Sequence, residues 1–141
     1  MSKATLFWRR AAGLAVFLAV LGAWAWIEAV PTAAVAPPPG QAIAIDKSPG
    51  AQTERKAVID RLVADGAVRR IEPERGGKLR VTLRGGFYTM EEPVRRGYAD
   101  VIYRYYFDGS NVNATVIFRD ARHGNEVGQY NPYRGGLKMY K

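Results

Sequence analysis

A pair of arginines followed by seventeen residues without a charge, Ala11 to Ile27, constrains this chain more than any other feature. A helix apolar on every side is rarely stable in water. At about 1.5 Å per residue the run makes about 26 Å of helix, at the short end of what crosses a hydrocarbon core of about 30 Å. Glu28 to Val30 extend it to a comfortable span, residues 11–30, once the carboxylate of Glu28 reaches the interface. Trp24 and Trp26 fall at the far end, where indole rings favour the headgroup layer. Lys3, Arg9 and Arg10 precede the run with no acid among residues 1–10, which by the positive-inside rule keeps the N-terminus cytoplasmic and the rest of the chain outside the inner membrane. The competing reading is a cleaved secretory signal. Ala23-Trp24-Ala25 has the small-x-small form but lies inside the run, and Ala34-Val35-Ala36 is followed by Pro37. A buried helix of a soluble core is the third reading, and the length of the run favours the uncleaved anchor.

Residues 31–50 hold five of the eight prolines and few large side chains, so they form a semi-stiff spacer. Within it, Ala42-Ile43-Ala44-Ile45 is an apolar patch able to dock on a neighbour as an edge strand. Residues 51–141 are the segment able to build a core of their own. Thr53 reads as the N-cap of a helix reaching about Asp65, with Val58, Ile59, Leu62 and Val63 on one side and Gly66 past its end. Ala67 to Glu72 and Lys78 to Arg84 flank a glycine-bearing turn, a hairpin signal. Thr89-Met90-Glu91-Glu92 reads as a capping box ahead of a second helix. Its apolar stripe is Met90, Val94, Tyr98, Val101, Ile102 and Tyr105, and Asp108-Gly109 ends it. Ala114 to Arg119, Glu126 to Tyr130 and Leu137 to Tyr140 complete the set as strands. The expected fold is α+β: an N-terminal transmembrane helix, a Pro-rich linker, then two helices packed on one face of a mostly antiparallel sheet, in the order α-β-β-α-β-β with a terminal strand.

The run Gly66-Ala67-Val68-Arg69-Arg70-Ile71, then Phe87-Tyr88-Thr89-Met90, Tyr105-Tyr106-Phe107 and Val116 to Asp120 with Gly124 in the turn, resembles small domains in uncharacterised bacterial membrane-anchored proteins. The resemblance covers most of residues 58–140. It implies a bacterial origin and the fold, and it brings no catalytic signature.

With no cysteine there is no thiol nucleophile, disulfide or thiolate metal site, and with His123 alone no site of several histidines within one chain. Ser110 and His123 sit in glycine- and asparagine-rich turns and read as turn residues. Glu91 and Glu92 belong to a helix first turn, where the dipole favours negative charge. The glycine pairs of Arg-Gly-Gly-Phe and Tyr-Arg-Gly-Gly-Leu lack the spacing and lysine of a phosphate-binding loop. Asp120, His123 and Glu126 surround one turn with spacing poorly suited to a metal. No catalytic residue, metal, cofactor or small-molecule substrate is therefore assigned, and an enzyme acting on envelope polymers is the weakest reading.

The net charge of +8 divides unevenly. The first thirty residues set three bases against Glu28, the spacer is neutral, and residues 51–141 carry 17 bases and 11 acids. On the second helix Glu91, Glu92 and Asp100 precede Arg95, Arg96 and Arg104 by four residues, the pattern of a solvated, self-paired face. The hairpin differs. Pairing Glu72 with Lys78 sets Arg70 opposite Arg80, with Thr82 and Arg84 along the same face and Ile71, Leu79, Val81 and Leu83 toward the core. Opposed like charges either fan into solvent or meet an anion, which makes Arg70, Lys78, Arg80 and Arg84 candidate contacts for acidic headgroups or an acidic partner. Tyr103, Tyr106, Tyr130, Tyr133 and Tyr140 have no obvious core register, and tyrosine with arginine is the composition of protein contact surfaces. Tyr106, Tyr130, Tyr133 and Tyr140 join the candidates. The expected function is that of a non-enzymatic accessory or scaffolding module in an envelope assembly, binding a protein partner or a second copy of itself. The alternative is a basic domain for nucleic acid or an anionic surface, against which an extracytoplasmic location and a self-paired helix argue.

Overall fold

A computed structural model describes residues 41–140. The predicted membrane span and the first half of the spacer lie outside them. Among the described residues no helix is long and apolar enough to cross a membrane.

Helix α1 runs Pro49–Ala64 and starts earlier than the sequence suggests. Ser48 is its N-cap, accepting from the Ala51 amide, and Pro49 occupies the first turn, where a missing N–H costs least. Thr53 instead turns its hydroxyl back to the Pro49 carbonyl, 2.8 Å away. Strands β1 (Val68–Glu74) and β2 (Lys78–Leu83) form the first hairpin. The turn is shorter than expected, Arg75-Gly76-Gly77, with both glycines at positive φ. Glu74 therefore pairs with Lys78, Glu72 with Arg80 and Arg70 with Thr82, so Arg70 and Arg80 are not opposed. Pro73 is tolerated because β1 is an edge strand.

A short helix, α2 (Gly85–Tyr88), and then α3 (Glu92–Tyr106) follow. The expected capping box does not form: Glu91 is the N-cap of α3, and Thr89 closes the preceding turn by donating to the Gly86 carbonyl. Strands β3 (Thr115–Asp120), β4 (Glu126–Asn131) and β5 (Gly136–Met139) complete the chain, with a 3₁₀ turn at Pro132–Arg134 before β5. The five strands lie in sequence order. Three ladders are antiparallel, while β2 and β3 are parallel, joined by the crossover through α2 and α3.

Both long helices cover one face of the sheet. Ile59 and Leu62 from α1, Phe87 from α2, and Ala99, Ile102 and Tyr103 from α3 share one core with Leu79, Val81, Leu83, Val116, Phe118, Tyr130 and Leu137. Phe87 and Phe118 stack at 5.6 Å, and each buried ring contributes about 1.5–3 kcal/mol. The buried stripe of α3 is rotated from the expected one. Gly97 and Ala99 to Tyr103 are inside, while Met90, Tyr98 and Tyr105 are only partly covered.

The segment before α1 packs on the domain without joining the sheet. The Ile43 amide donates to the Tyr133 hydroxyl (2.7 Å), which donates in turn to the Gly109 carbonyl. Ile45 packs against the core. Lys47 Nζ donates to the Arg104 and Tyr105 carbonyls at 2.8 and 2.9 Å, placing a cation on the negative end of α3.

Candidate functional site: the helix-free face of the sheet

Strand alternation sends every second residue to the face that no helix among the described residues covers. One row across that face runs Glu72, Arg80, Ile117, Gln129, Lys138 through four successive ladders. Beside it lie Arg70, Thr82 and Arg119, and on the other side Glu74, Lys78 and Thr115. Five bases, Arg70, Lys78, Arg80, Arg119 and Lys138, thus meet three acids, Glu72, Glu74 and Glu126, the last paired opposite Arg119.

The acids are engaged. Arg70 Nε lies 3.2 Å from Glu72 Oε2, and Arg80 forms an ion pair with Glu74. The face is not simply wet. Arg80, Arg119, Ile117 and Gln129 are half-buried, and Thr82, between Arg70 and Arg119 in the ladders, is only 9% exposed. The Nε atoms of Arg80 and Arg119 are shielded from solvent and donate to no acceptor among the described residues. Arg119 does reach the Gly124 carbonyl through Nη1 at 3.4 Å. A central strip of partly desolvated guanidinium, bordered by exposed Arg70, Lys78 and Lys138, can hold carboxylates more firmly than isolated surface lysines would.

Of the residues singled out from the sequence, Arg70, Lys78 and Arg80 share this face. Arg84 does not: it follows β2 as the N-cap of α2 and lines a separate cleft. Tyr106 and Tyr140 are exposed, at 37% and 47%, and Tyr140 donates to Glu126 at 3.1 Å. Tyr130 is a core residue, 2% exposed, and Tyr103 is wholly buried. The Tyr130 hydroxyl donates to Asp100 Oδ1 at 2.7 Å, and Arg104 Nε donates to Asp100 Oδ2 at the same distance. The Asp100–Arg104 pair is therefore an inward-facing brace and not part of a solvated face. Of the other two expected pairs, Glu92 and Arg96 meet at 2.8 Å, while Glu91 and Arg95 form no ion pair. Tyr133 is spent on holding the segment around Ile43.

Sequence reasoning missed Arg119 and Lys138. The alternation Thr115, Ile117, Arg119 against Val116, Phe118 carried a signal for Arg119, but only the parallel pairing of β2 with β3 brings it beside Arg80. The Asp120 turn gathers no metal site. Asp120 Oδ1 accepts the Arg122 and His123 amides and lies 3.6 Å from His123 Nδ1, while Glu126 turns away to Tyr140. Among the described residues no three His, Asp or Glu side chains converge. Ser110 bonds to Asp108 at 2.7 Å and not to His123.

The described residues form a small α+β domain with one sheet surface covered by helices and, among those residues, one open, basic surface. Compared with protein-family models, curated proteins and solved structures, the chain has no significant match.

Proposed function

We propose that the chain is a single-pass bacterial inner-membrane protein, held by residues 11–30 with its N-terminus cytoplasmic, whose periplasmic domain is a non-enzymatic interaction module of an envelope assembly. The uncharged run behind Arg9 and Arg10 supports the anchor. The observation that carries the interaction role is the sheet face that no described helix covers, where five bases border three engaged acids and two arginines are already part-desolvated. Pre-ordered guanidinium lowers the entropic cost of binding, and the chemistry it fits is an acidic protein surface. Part of the notional tyrosine surface is withdrawn from this role, because Tyr130 and Tyr133 have structural duties.

The test is gentle extraction of a tagged full-length chain and identification of what co-purifies, beside a variant with Arg70, Arg80, Arg119 and Lys138 changed to glutamine. The expected result is a protein partner that is lost in the variant while the fold persists by circular dichroism. Recovery of a lone monomer from both forms overturns the proposal. Salt-dependent capture of nucleic acid in place of protein favours the alternative reading of the same face.

A further inference from the structure

A second group of unspent charges lies away from the open face, where the parallel strands β2 and β3 end. Leu83 closes β2 and Asp120 closes β3, and they are paired in register. The loops leaving them diverge and enclose a cleft of about 470 Å³, lined by Leu83, Arg84, Gly85, Tyr88 and Asp120 to His123. In doubly wound parallel sheets, ligands bind outside the carboxyl ends of the strands, and this one parallel pair makes an opening of the same local form. The volume falls in the range of about 300–1,000 Å³ that suits a small organic molecule.

The groups in the cleft divide sharply into spent and unspent. Asp120 is spent: Oδ1 accepts the Arg122 and His123 amides at 2.6 and 3.2 Å, and Oδ2 accepts the Tyr88 hydroxyl at 3.2 Å. Those bonds, the Arg122 amide first, hold its carboxyl below the usual range, so it stays ionised and structural. Arg84 and Arg122 are unspent. Neither guanidinium has a hydrogen bond or ion pair to any described residue, and both line the same cleft. The main chain from which they project is anchored: the Arg84 amide donates to the Ala67 carbonyl (2.9 Å), and the Ala121 amide, next to Arg122, donates to the Leu83 carbonyl (2.9 Å). His123 adds a largely exposed imidazole on the same rim.

We infer that this cleft is a binding site for an organic phosphate monoester, its dianionic head between Arg84 and Arg122 and its apolar body along Ala121 and the exposed Tyr88 ring. Two unpaired guanidiniums arriving from different loops match a group with two charges and three acceptor oxygens better than a single carboxylate. Asp120 sets the shape of the turn and repels an anion placed too deep, so the head binds at the rim. This site is independent of the open sheet face and of whatever that face engages.

The test is titration of the full chain with phenyl phosphate, inorganic phosphate and benzoate, followed through amide shifts of Gly85, Ala121, Arg122 and His123. Phenyl phosphate is expected to saturate, to bind more tightly than inorganic phosphate or benzoate, and to weaken about tenfold or more in Arg84→Gln and in Arg122→Gln. The thermal midpoints of both variants should stay at the parent value. Arg75→Gln, in the β1–β2 turn, should leave the affinity unchanged. Displacement of phenyl phosphate by soluble dihexanoyl phosphatidic acid at equal or lower concentration assigns the ester to a lipid headgroup. Failure of that displacement assigns it to a free metabolite. No saturation by about 10 mM, benzoate binding as tightly as phenyl phosphate, or an equal loss in Arg75→Gln each overturns the inference.

Discussion

Removing one oxygen atom at Tyr130 tests the account of the core most directly. In the parent, the Tyr130 hydroxyl and Arg104 Nε each approach one oxygen of Asp100 at 2.7 Å, the length of a charge-assisted bond. The Asp100 side chain is 8% exposed, so water has little access to replace either donor. Tyr130→Phe keeps the ring and its edge-on contact with Tyr103 at 5.8 Å, and takes away only the donor to Oδ1. A bond to a buried charge is worth about 1.5–3 kcal/mol, against which the extra apolar character of phenylalanine returns a few tenths. We expect a net loss of about 2 kcal/mol, a large share of the stability of a domain this size, and a urea midpoint lowered by about 1 M at unchanged slope. Urea unfolding of the purified chain followed by circular dichroism measures it. Asp100→Asn and the double variant complete a cycle whose coupling should exceed about 1 kcal/mol. A loss under about 0.5 kcal/mol, or a coupling of zero, refutes the claim that this triad braces α3 against β4.

Alkaline titration should weaken the fold for a related reason. Burial raises the phenols of Tyr130, Tyr103 and Tyr88, the latter two to about 12. With folded values above the ordinary one near 10, their contribution is complete below about pH 10 and is lost as pH rises toward the folded values, so stability measured from pH 9 to 12 should fall, and a flat profile contradicts the burial. Tyr133→Phe removes the bridge between Ile43 and Gly109, so the Ile43 amide should exchange at least tenfold faster while protection of β2 and β3 is kept; unchanged exchange at Ile43 would show that Ile45 and Lys47 suffice. Phe118→Ala empties the ring stacked on Phe87 at the centre of the sheet and should cost about 3–5 kcal/mol by urea unfolding, whereas a cost under 1 kcal/mol would mean the core collapses freely around the gap.

The helices and strands were legible because their signals are local: periodic apolar residues, glycines at the breaks and prolines at helix starts. The hairpin register was not, since Gly76 and Gly77, both at positive φ, allow a three-residue turn in place of the five-residue turn that the strand-like runs imply. A slip of two preserves which side chains face inward, so Ile71, Leu79, Val81 and Leu83 were placed correctly while the opposed arginines were not. Tyr103 and Tyr130 were read as surface because a phenol is ambiguous until its partner is known. Asp100 looked solvated because its spacing to Arg104 is also that of an exposed pair. The basic face was half visible: Arg70, Lys78 and Arg80 are near neighbours in the chain, whereas Arg119 and Lys138 join them only through long-range pairing that leaves no local mark. The Arg84–Arg122 cleft depends on the same pairing.

That parallel pairing of β2 with β3 also sets the order of assembly. The β1–β2 and β3–β4 hairpins are local and close on the microsecond scale, but the seam between them waits until both helices of the crossover are in place. During synthesis β2 emerges with one edge unpaired, and the core around Leu79, Val81 and Leu83 holds only Ile59 and Leu62 of α1 as helical cover until the crossover helices and β3 follow. Substitutions along the seam or on the inner side of α3 should therefore slow folding, while those in β5 mainly hasten unfolding. The interval before β3 arrives is when this chain is most open to mispairing with a second copy of itself.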